Sequence, residues 1–257
     1  MKGLPSKARL PPRLRAALSG VGRLTGRLPG QCAVCRNWTP GRICAACVQR
    51  WAQPVPRCWS CALHLPPGTD ATTQPRCGHC LREAPPLSRC IAALDYAFPW
   101  DVLLQRFKFS QALDLGPALV GRMDAALDAA EATSPDWLLP VPLAPQRLRE
   151  RGYNQSWELA RALARRRGTA SAPAMLVRVR DTAHQLQLAP EARSANVREA
   201  FAVDPQSVAA LRGRHVVLLD DVMTTGATLH ELARTVARAG AARVDAWVLA
   251  RTPESLH

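Results

Sequence analysis

The stretch HVVLLDDVMTTGATL, residues 215–229, decides the fold of the larger part of the chain. Val216 to Leu219 form an aliphatic run without alternation, which is typical of a parallel strand buried on both faces. Because side chains alternate along a strand, the adjacent Asp220 and Asp221 cannot both leave the core on the same side. An unpaired buried carboxylate is costly, so we expect both at the open carboxyl end of the strand. Open α/β sheets bind their ligands at that edge.

Residues 91–257 continue this pattern by alternating between strand-like and helix-like segments. The periodicity predicts strands at IAALDYAF (91–98), WLLPVPL (137–143), AMLVRV (174–179), VVLLDD (216–221) and VDAWVLA (244–250). It predicts helices at VLLQRFKF (102–109), LGPALVGRMDAALDAA (115–130), NQSWELARALARRR (154–167) and 228–239. This order indicates an α/β fold with a doubly wound parallel sheet and helices on both faces.

The loop that follows the two aspartates, TTGAT, suits a phosphate group. It offers closely spaced backbone N–H groups, small side chains and a glycine where the backbone bends round a ligand. Thr228 and Glu231 form a capping-box pattern, which predicts a helix N-terminus here, and such a terminus attracts anions. The loop has neither the G-K-[ST] of a Walker motif nor the G-x-G-x-x-G of a dinucleotide fingerprint.

Two carboxylates before a phosphate loop suit a ribose 5-phosphate, whose hydroxyls donate to the carboxylates. A pyrophosphate on C1′ of that ribose would bring Mg²⁺. The alternative is a helix-capping loop with two solvated acids.

The front of the chain carries four C-x-x-C pairs within 49 residues. Each pair can present two thiolates to a tetrahedral Zn²⁺, so two pairs complete one site and four pairs predict two structural zinc ions. Consecutive pairing assigns Cys32, Cys35, Cys44 and Cys47 to one site and Cys58, Cys61, Cys77 and Cys80 to the other, while interleaved ligation stays open. Disulfides or a redox motif are the other interpretations, but a redox motif does not repeat four times.

The segment 31–90 is too small to bury a self-sufficient core, so zinc is expected to supply its folding energy, about 10 to 16 kcal/mol per site. We expect His64 and His79 at the surface, and Cys90 as a buried residue at the start of the next strand.

Positive charge is concentrated in the same part of the chain. Residues 1–90 hold 14 Lys and Arg against Asp70 and Glu83, whereas the rest holds 20 against 18 acids. This asymmetry indicates contact with a polyanion, or else a solvated basic surface. No apolar stretch is long enough to span a membrane, and the N-terminus lacks the apolar region of a secretory signal, so a cytoplasmic location is expected.

Several motifs resemble those of one known family. LLDDVMTTGAT resembles the phosphoribosyl pyrophosphate (PRPP) motif of type I phosphoribosyltransferases. The four C-x-x-C pairs, DYAFPWDVLLQRFKF, VPLAPQRLRERGYNQS and RVRDTAHQLQLAPEARSANVREAF, in this order, resemble the ComF/GntX family across residues 31–251. The resemblance implies a basic arm (1–30), a double zinc ribbon (31–90) and a type I phosphoribosyltransferase-like domain (91–257).

The resemblance also implies roles for individual residues. Asp220 and Asp221 would bind the ribose hydroxyls, and the 5′-phosphate would be held by Thr224, Thr225, Gly226, Ala227 and Thr228. The pyrophosphate side would be formed by Arg147, Arg149, Arg151, Gly152, Tyr153, Asn154 and Gln155. A hood over the ligand would include Arg178, Arg180, Thr182, Gln185, Arg193 and Asn196. Lys108 matches a lysine of the family, and no catalytic residue is assigned.

The residues themselves support the pyrophosphate side. The loop predicted after WLLPVPL holds three arginines in five residues and ends at Asn154, which can cap the following helix. The alternative is a plain solvated turn.

The function implied is that of a PRPP- and Mg²⁺-binding protein that handles single-stranded DNA in natural transformation, with a competence helicase or another protein as partner. Trp38, Trp51 and Trp59 among arginines would allow base stacking, or they form the small core of the ribbons. The alternatives are a phosphoribosyltransferase of nucleotide metabolism with an unknown acceptor, and a non-catalytic scaffold.

Overall fold

The computed structural model describes residues 30–179 and 199–253. The chain divides into two compact units, with the boundary between Cys47 and Val48. Apart from Gly30, the basic arm predicted for residues 1–30 lies outside the described residues. The same holds for five residues of the predicted hood, Arg180, Thr182, Gln185, Arg193 and Asn196.

The first unit contains two short antiparallel strands, β1 (Gly30–Gln31) and β2 (Trp38–Thr39), and the start of helix α1 (Ala45–Trp51). Between the strands the chain makes a tight turn, in which the Arg36 N–H donates to the Cys32 carbonyl at 3.0 Å. This turn brings the first two cysteines of the chain together.

The second unit contains the α/β alternation that the sequence predicts. In chain order its elements are α2 (Gly78–Arg82), β3 (Arg89–Asp95), α3 (Trp100–Phe109), α4 (Gly116–Ala129), β4 (Trp137–Pro140), α5 (Pro145–Arg151), α6 (Gln155–Arg167), β5 (Leu176–Arg178), β6 (Phe201–Val203), α7 (Val208–Leu211), β7 (His215–Met223), α8 (Ala227–Arg238) and β8 (Arg243–Arg251).

Four of these strands form the central sheet, in the order β3-β8-β7-β4, and all neighbours are parallel. Val216 and Leu218 of β7 share a buried cluster with Leu232 and Val236 of α8. Because side chains alternate across a strand, Val217 and Leu219 point to the other face. On that face α4 packs on β3 and β8, and α6 packs on β4 and β7. The predicted parallel sheet with helices on both faces is confirmed.

One predicted strand does not belong to this sheet. AMLVRV forms β5, which pairs antiparallel with β6 in a separate two-stranded sheet. Leu176 and Phe201 are buried in the cluster that contains the apolar face of α8. The prediction that this strand joins the parallel sheet is therefore wrong, because its apolar residues are buried over α8.

The second group of cysteines is part of the core of the second unit. Cys58 and Cys61 lie in the same buried cluster as Ala246 and Val248 of β8. The Cys90 N–H donates to the Trp59 carbonyl at 2.9 Å. Trp59 Nε1 in turn donates to the carbonyl of Ser88 at 3.0 Å, and the guanidinium of Arg89 lies 3.9 Å from the Trp59 ring centroid. The segment around these cysteines is thus held by hydrogen bonds and ring contact against β3, the edge strand of the sheet.

Among the described residues, no helix combines the length and the apolar character that crossing a membrane requires.

Candidate functional site

Asp220 and Asp221 lie within the last four residues of β7, near its carboxyl end. The strand continues to Met223, so both aspartates are strand residues. Asp221 is 3% exposed, and its Oδ2 lies 2.9 Å from Nζ of Lys108. A buried carboxylate requires such a partner, which gives Lys108, in the last turn of α3, a place in the site.

Asp220 is half-buried and is held by two hydrogen bonds. Ser156 Oγ donates to Asp220 Oδ1 at 3.0 Å, and the Asp221 N–H donates to the same oxygen at 2.9 Å. Burial, and after it the negative charge of Asp221, raise the pKa of the Asp220 carboxyl to about 7. The site therefore carries one carboxylate paired with a lysine and one carboxyl that binds its proton up to neutral pH.

Ser156 is a site residue that the sequence analysis missed. It stands one position after Gln155, the last residue of the arginine-rich motif, and at the start of α6. The polar run Asn154 to Ser156 immediately before an apolar helical pattern was the available signal.

A small cavity of about 60 Å³ adjoins Asp220. It is lined by Asp220 and by residues 222–229, which include the whole TTGAT loop and the first turn of α8. Since α8 has twelve residues, the backbone N–H groups of its first turn have no acceptor within the helix, and its N-terminus carries the positive end of a helix dipole. The cavity has the donors that an anion requires.

Gly226 fixes the shape of this loop. Its φ is 85°, and a Cβ at this position would lie 2.5 Å from Met223 Cε and 2.9 Å from His230 Nε2. Only glycine combines a left-handed backbone with such close neighbours. Burial lowers the pKa of His230 to about 4, so the imidazole behind the loop is neutral.

The capping box predicted for Thr228 and Glu231 is wrong. Helix α8 begins at Ala227 with Gly226 as its N-cap, so Thr228 already lies inside the first turn. Glu231 is buried, accepts a hydrogen bond from the Glu199 N–H at 3.1 Å and pairs with Arg234 at 3.2 Å. The helix N-terminus is nevertheless where the sequence predicts it.

The arginines of the R-x-R-G-Y-N-Q motif lie on a helix, α5, where a loop was predicted. Arg147 and Arg151 are half-buried and, at a spacing of four, share one face of α5, whereas Arg149 lies on the other side and is exposed. Pro145 at the first position and Gly152 with φ 77° at the end were the sequence signals for this helix.

Arg151 is the member of this motif with the most defined surroundings. Its guanidinium lies 4.8 Å from the ring centroid of Phe109, and its Nη1 donates to Gln155 Oε1 at 3.0 Å. Burial lowers the pKa of Arg151, and the charge of Asp221 acts in the opposite direction. Lys108 thus pairs directly with Asp221, and the charge of Arg151 interacts with the same carboxylate.

The rest of the motif orients α6. The Tyr153 hydroxyl donates to the Phe107 carbonyl. Asn154 caps α6, as predicted, because its Oδ1 accepts from the N–H groups of Ser156 and Trp157 at 2.9 and 3.3 Å. Its Nδ2 donates to the Val141 carbonyl at 3.0 Å, which ties the cap to the end of β4.

Arg178 is the described residue of the predicted hood. It lies on β5, with its guanidinium 5.4 Å from the ring centroid of Phe201. Arg178 therefore lies in the small antiparallel sheet beside α8. The arginines predicted for the pyrophosphate side lie on a different element, α5, which follows β4 in the chain.

The eight C-x-x-C cysteines form two groups with consecutive pairing, Cys32, Cys35, Cys44 and Cys47, and Cys58, Cys61, Cys77 and Cys80. Within each group the ligand atoms all lie within 4.8 Å of one another, and His64 and His79 are exposed and belong to neither group. Cys90 is buried in β3, as predicted.

The sulfur geometry fits zinc. A tetrahedron with Zn–S bonds of about 2.3 Å has edges of about 3.8 Å. The Sγ atoms of Cys32 and Cys47 lie 3.9 Å apart, and those of Cys61 and Cys77 lie 3.7 Å apart. Cys58 Sγ accepts from the Cys77 N–H at 3.3 Å. A hydrogen bond from the Cys61 thiol lowers the pKa of Cys58 to about 4, so both groups could hold a structural zinc ion.

Comparison with known proteins gives relatives along nearly the whole chain. A family described as "Phosphoribosyl transferase domain" matches residues 156–257, which include β7, the loop and α8. "DNA utilization protein YhgH" of Salmonella typhi is 35% identical over 235 residues, 88% of this chain and 98% of that protein.

Two relatives have names that refer to competence. "Competence protein F" of Haemophilus influenzae is 30% identical over 213 residues, 81% of this chain and 90% of that protein. "Competence protein ComFC" of Bacillus subtilis is 29% identical over 150 residues, 58% of each chain. With these relatives, a phosphoribosyltransferase domain and two cysteine groups ahead of it, the chain belongs to the ComF family.

Proposed function

We propose that the second unit binds PRPP, or a closely similar phosphorylated ribose, together with Mg²⁺, and that the protein serves in the handling of DNA during its uptake. The observation that carries the proposal is the cavity lined by Asp220 and the TTGAT loop at the N-terminus of α8. The relatives named for DNA utilization and competence support the process.

In this proposal each group of the site has one task. The hydroxyls of the ribose donate to Asp220 and Asp221, while the amides at the start of α8 hold the 5′-phosphate. Lys108 keeps the Asp221 carboxylate in place through their 2.9 Å ion pair. Arg147 and Arg151 face the pyrophosphate, for which the planar fork of arginine is suited. Bound Mg²⁺ would neutralise the diphosphate, because it is held by phosphate oxygens and a few carboxylates.

The proposal is tested by isothermal titration calorimetry with PRPP and Mg²⁺. The titration is made at about pH 8, above the pKa of about 7 of Asp220, so that both carboxyls are ionised. Replacing both Asp220 and Asp221 by Asn then removes two negative charges and puts an NH₂ donor in place of one acceptor oxygen of each side chain, and a hydrogen bond to a charged group is worth about 1.5 to 3 kcal/mol. We expect the affinity to fall by about a hundredfold or more. Absence of any binding heat from the native protein at millimolar PRPP would contradict the proposal.

The matched control is Asp136→Asn, the same chemical change before β4, at the amino end of the sheet. Asp136 accepts from the His215 N–H at 2.8 Å and pairs with Arg214 at 3.2 Å. This variant should bind PRPP with unchanged affinity. If it also loses binding, the lower affinity of the Asp220 and Asp221 variant would be explained by a less stable sheet and not by the loss of ligand contacts.

A second candidate function is contact with single-stranded DNA through the first unit. The indole of Trp38 is 72% exposed there, and residues 1–47 contain nine Lys and Arg and no acid. Exposed aromatic rings among cations bind single strands by stacking and phosphate contact. The related proteins named for DNA utilization favour this function.

A further inference from the structure

One buried arginine connects the second cysteine group to the loop of the candidate site. Arg251, the last residue of β8, is 8% exposed. Its Nε donates to the carbonyl of Cys61 at 3.0 Å. Its Nη1 donates to the carbonyl of Met223 at 3.3 Å and also to that of Thr224. One guanidinium therefore bonds to a cysteine of the metal-binding group and to the first residue of the TTGAT loop.

Both ends of this connection are held by further contacts. On the cysteine side, the Ala62 N–H donates to the Cys58 carbonyl at 2.8 Å, which closes the turn that presents the Cys61 carbonyl. On the loop side, Met223 Sδ lies 3.7 Å from Cys90 Sγ, and Met223 Cε lies where a side chain on Gly226 would be. A displacement of the Cys61 turn would thus be transmitted to Met223 and the loop.

We propose that Arg251 is a positioning residue. Because it bonds both to the second cysteine group and to the TTGAT loop, it couples the conformation of the loop to that group, so that ligand binding depends on the cysteine group. Arginine suits this task because its fork directs several donors at fixed angles, so that it can bond to carbonyls on two sides at once. The Lys ammonium is a single point of donation and cannot bridge the two carbonyls in the same way. The ligand part of the proposal rests on the proposed function of the site.

The test compares Arg251→Lys with Arg243→Lys, both measured in the full-length protein. Arg243 is the first residue of the same strand, at the end opposite to Arg251, and pairs with Asp245 at 2.8 Å. Three quantities are measured for each variant: zinc content, amide hydrogen exchange of the peptide that covers residues 222–229, and the affinity for PRPP with Mg²⁺.

We expect Arg251→Lys to retain the native zinc content and to exchange the amides of residues 222–229 about tenfold faster or more. Its affinity for PRPP should fall by a similar factor, whereas Arg243→Lys should match the native protein in all three measurements. Unchanged exchange and unchanged affinity in Arg251→Lys would overturn the proposal. If the native protein binds no PRPP, the proposed function fails, while the exchange comparison still decides the role of Arg251.

A measurement on the native protein covers the case in which Arg251→Lys does not fold. Coupling between two sites is reciprocal, so a ligand on the loop must also stabilise the second cysteine group. We expect PRPP with Mg²⁺ to slow chelator-driven zinc release from Cys58, Cys61, Cys77 and Cys80 and to leave release from the first group unchanged. Equal release rates with and without PRPP, in a protein that binds it, would contradict the coupling.

Discussion

Asp220 is the residue whose chemistry differs most from that of an ordinary surface aspartate. An unfolded chain gives this carboxyl a pKa of about 3.9, whereas burial and the adjacent Asp221 raise it to about 7 in the folded protein. Between these two values the folded state binds a proton that the unfolded state has released. Stability therefore falls as the pH rises through this window.

We predict that Asp220→Asn removes this pH dependence. Between about pH 4 and pH 7 the contribution of the native carboxyl to the free energy of unfolding falls by at most about 1.4 kcal/mol per pH unit. Since Asn does not titrate, the variant should gain stability relative to the native protein as the pH rises, and the gain should level off above about pH 7. Urea unfolding of both proteins at several pH values measures the difference; a constant difference across the window would contradict the raised pKa.

The contacts of individual site residues mark the limit of what the sequence predicts. The position of Asp220 and Asp221 at the end of a buried strand follows from the aliphatic run before them and from the cost of burying a carboxylate. The partners, Lys108 and Ser156, come from distant segments, and no local pattern states which cation faces which carboxylate. Arg251 was missed for the same reason, because its acceptors are backbone carbonyls, which have no sequence signature.

At the scale of elements, periodicity predicted the main helices and the strands of the central sheet, but it did not predict which strand pairs with which. The apolar pattern of AMLVRV indicates a strand, yet only the tertiary fold shows that β5 pairs with β6 over α8. The arginine-rich α5 was predicted as a loop, because charged residues gave it no apolar face, although Pro145 and Gly152 marked its two ends.

The two cysteine groups should differ in their effect on stability. We predict that Cys44→Ala, in the first unit, leaves the main unfolding transition of the α/β part within a few degrees of its native temperature. Cys61→Ala should lower that transition by about 10 °C or more, because Cys61 lies in the buried cluster of the sheet and loss of a metal ligand there exposes the core.

Differential scanning calorimetry with zinc analysis of the same samples measures both effects. Each variant should lose about one zinc ion relative to the native protein. Equal shifts for the two variants would show that the second group is no more a part of the core than the first.

At the scale of the whole molecule, the positive charge is divided unequally between the two units. Residues 1–47 hold nine Lys and Arg with no acid, and residues 48–257 hold the remaining 25 against 20 acids. A four-cysteine zinc site contributes about −2, since four thiolates outweigh one Zn²⁺, so with zinc bound the first unit would keep a formal charge of about +7. A stretch of sequence with this charge, together with the exposed Trp38, is suited to bind the backbone and bases of a single strand.

We therefore predict that the first unit supplies most of the affinity for single-stranded DNA. Binding of a short oligothymidylate is measured by fluorescence anisotropy at several salt concentrations, for the full chain and for a chain that begins at Val48. The shorter chain should be checked for a native unfolding transition, and it keeps the second cysteine group, which a start at Ile91 would remove from the core.

For the full chain, the logarithm of affinity should fall with the logarithm of salt by about 0.7 for each phosphate contacted. The shorter chain should bind at least about tenfold more weakly and with a smaller slope, because it lacks nine cations. If it keeps both the affinity and the slope, the charge of the first unit is only a solvated surface, and the contact with the strand belongs to the second unit, where we would test the arginines of α5 first.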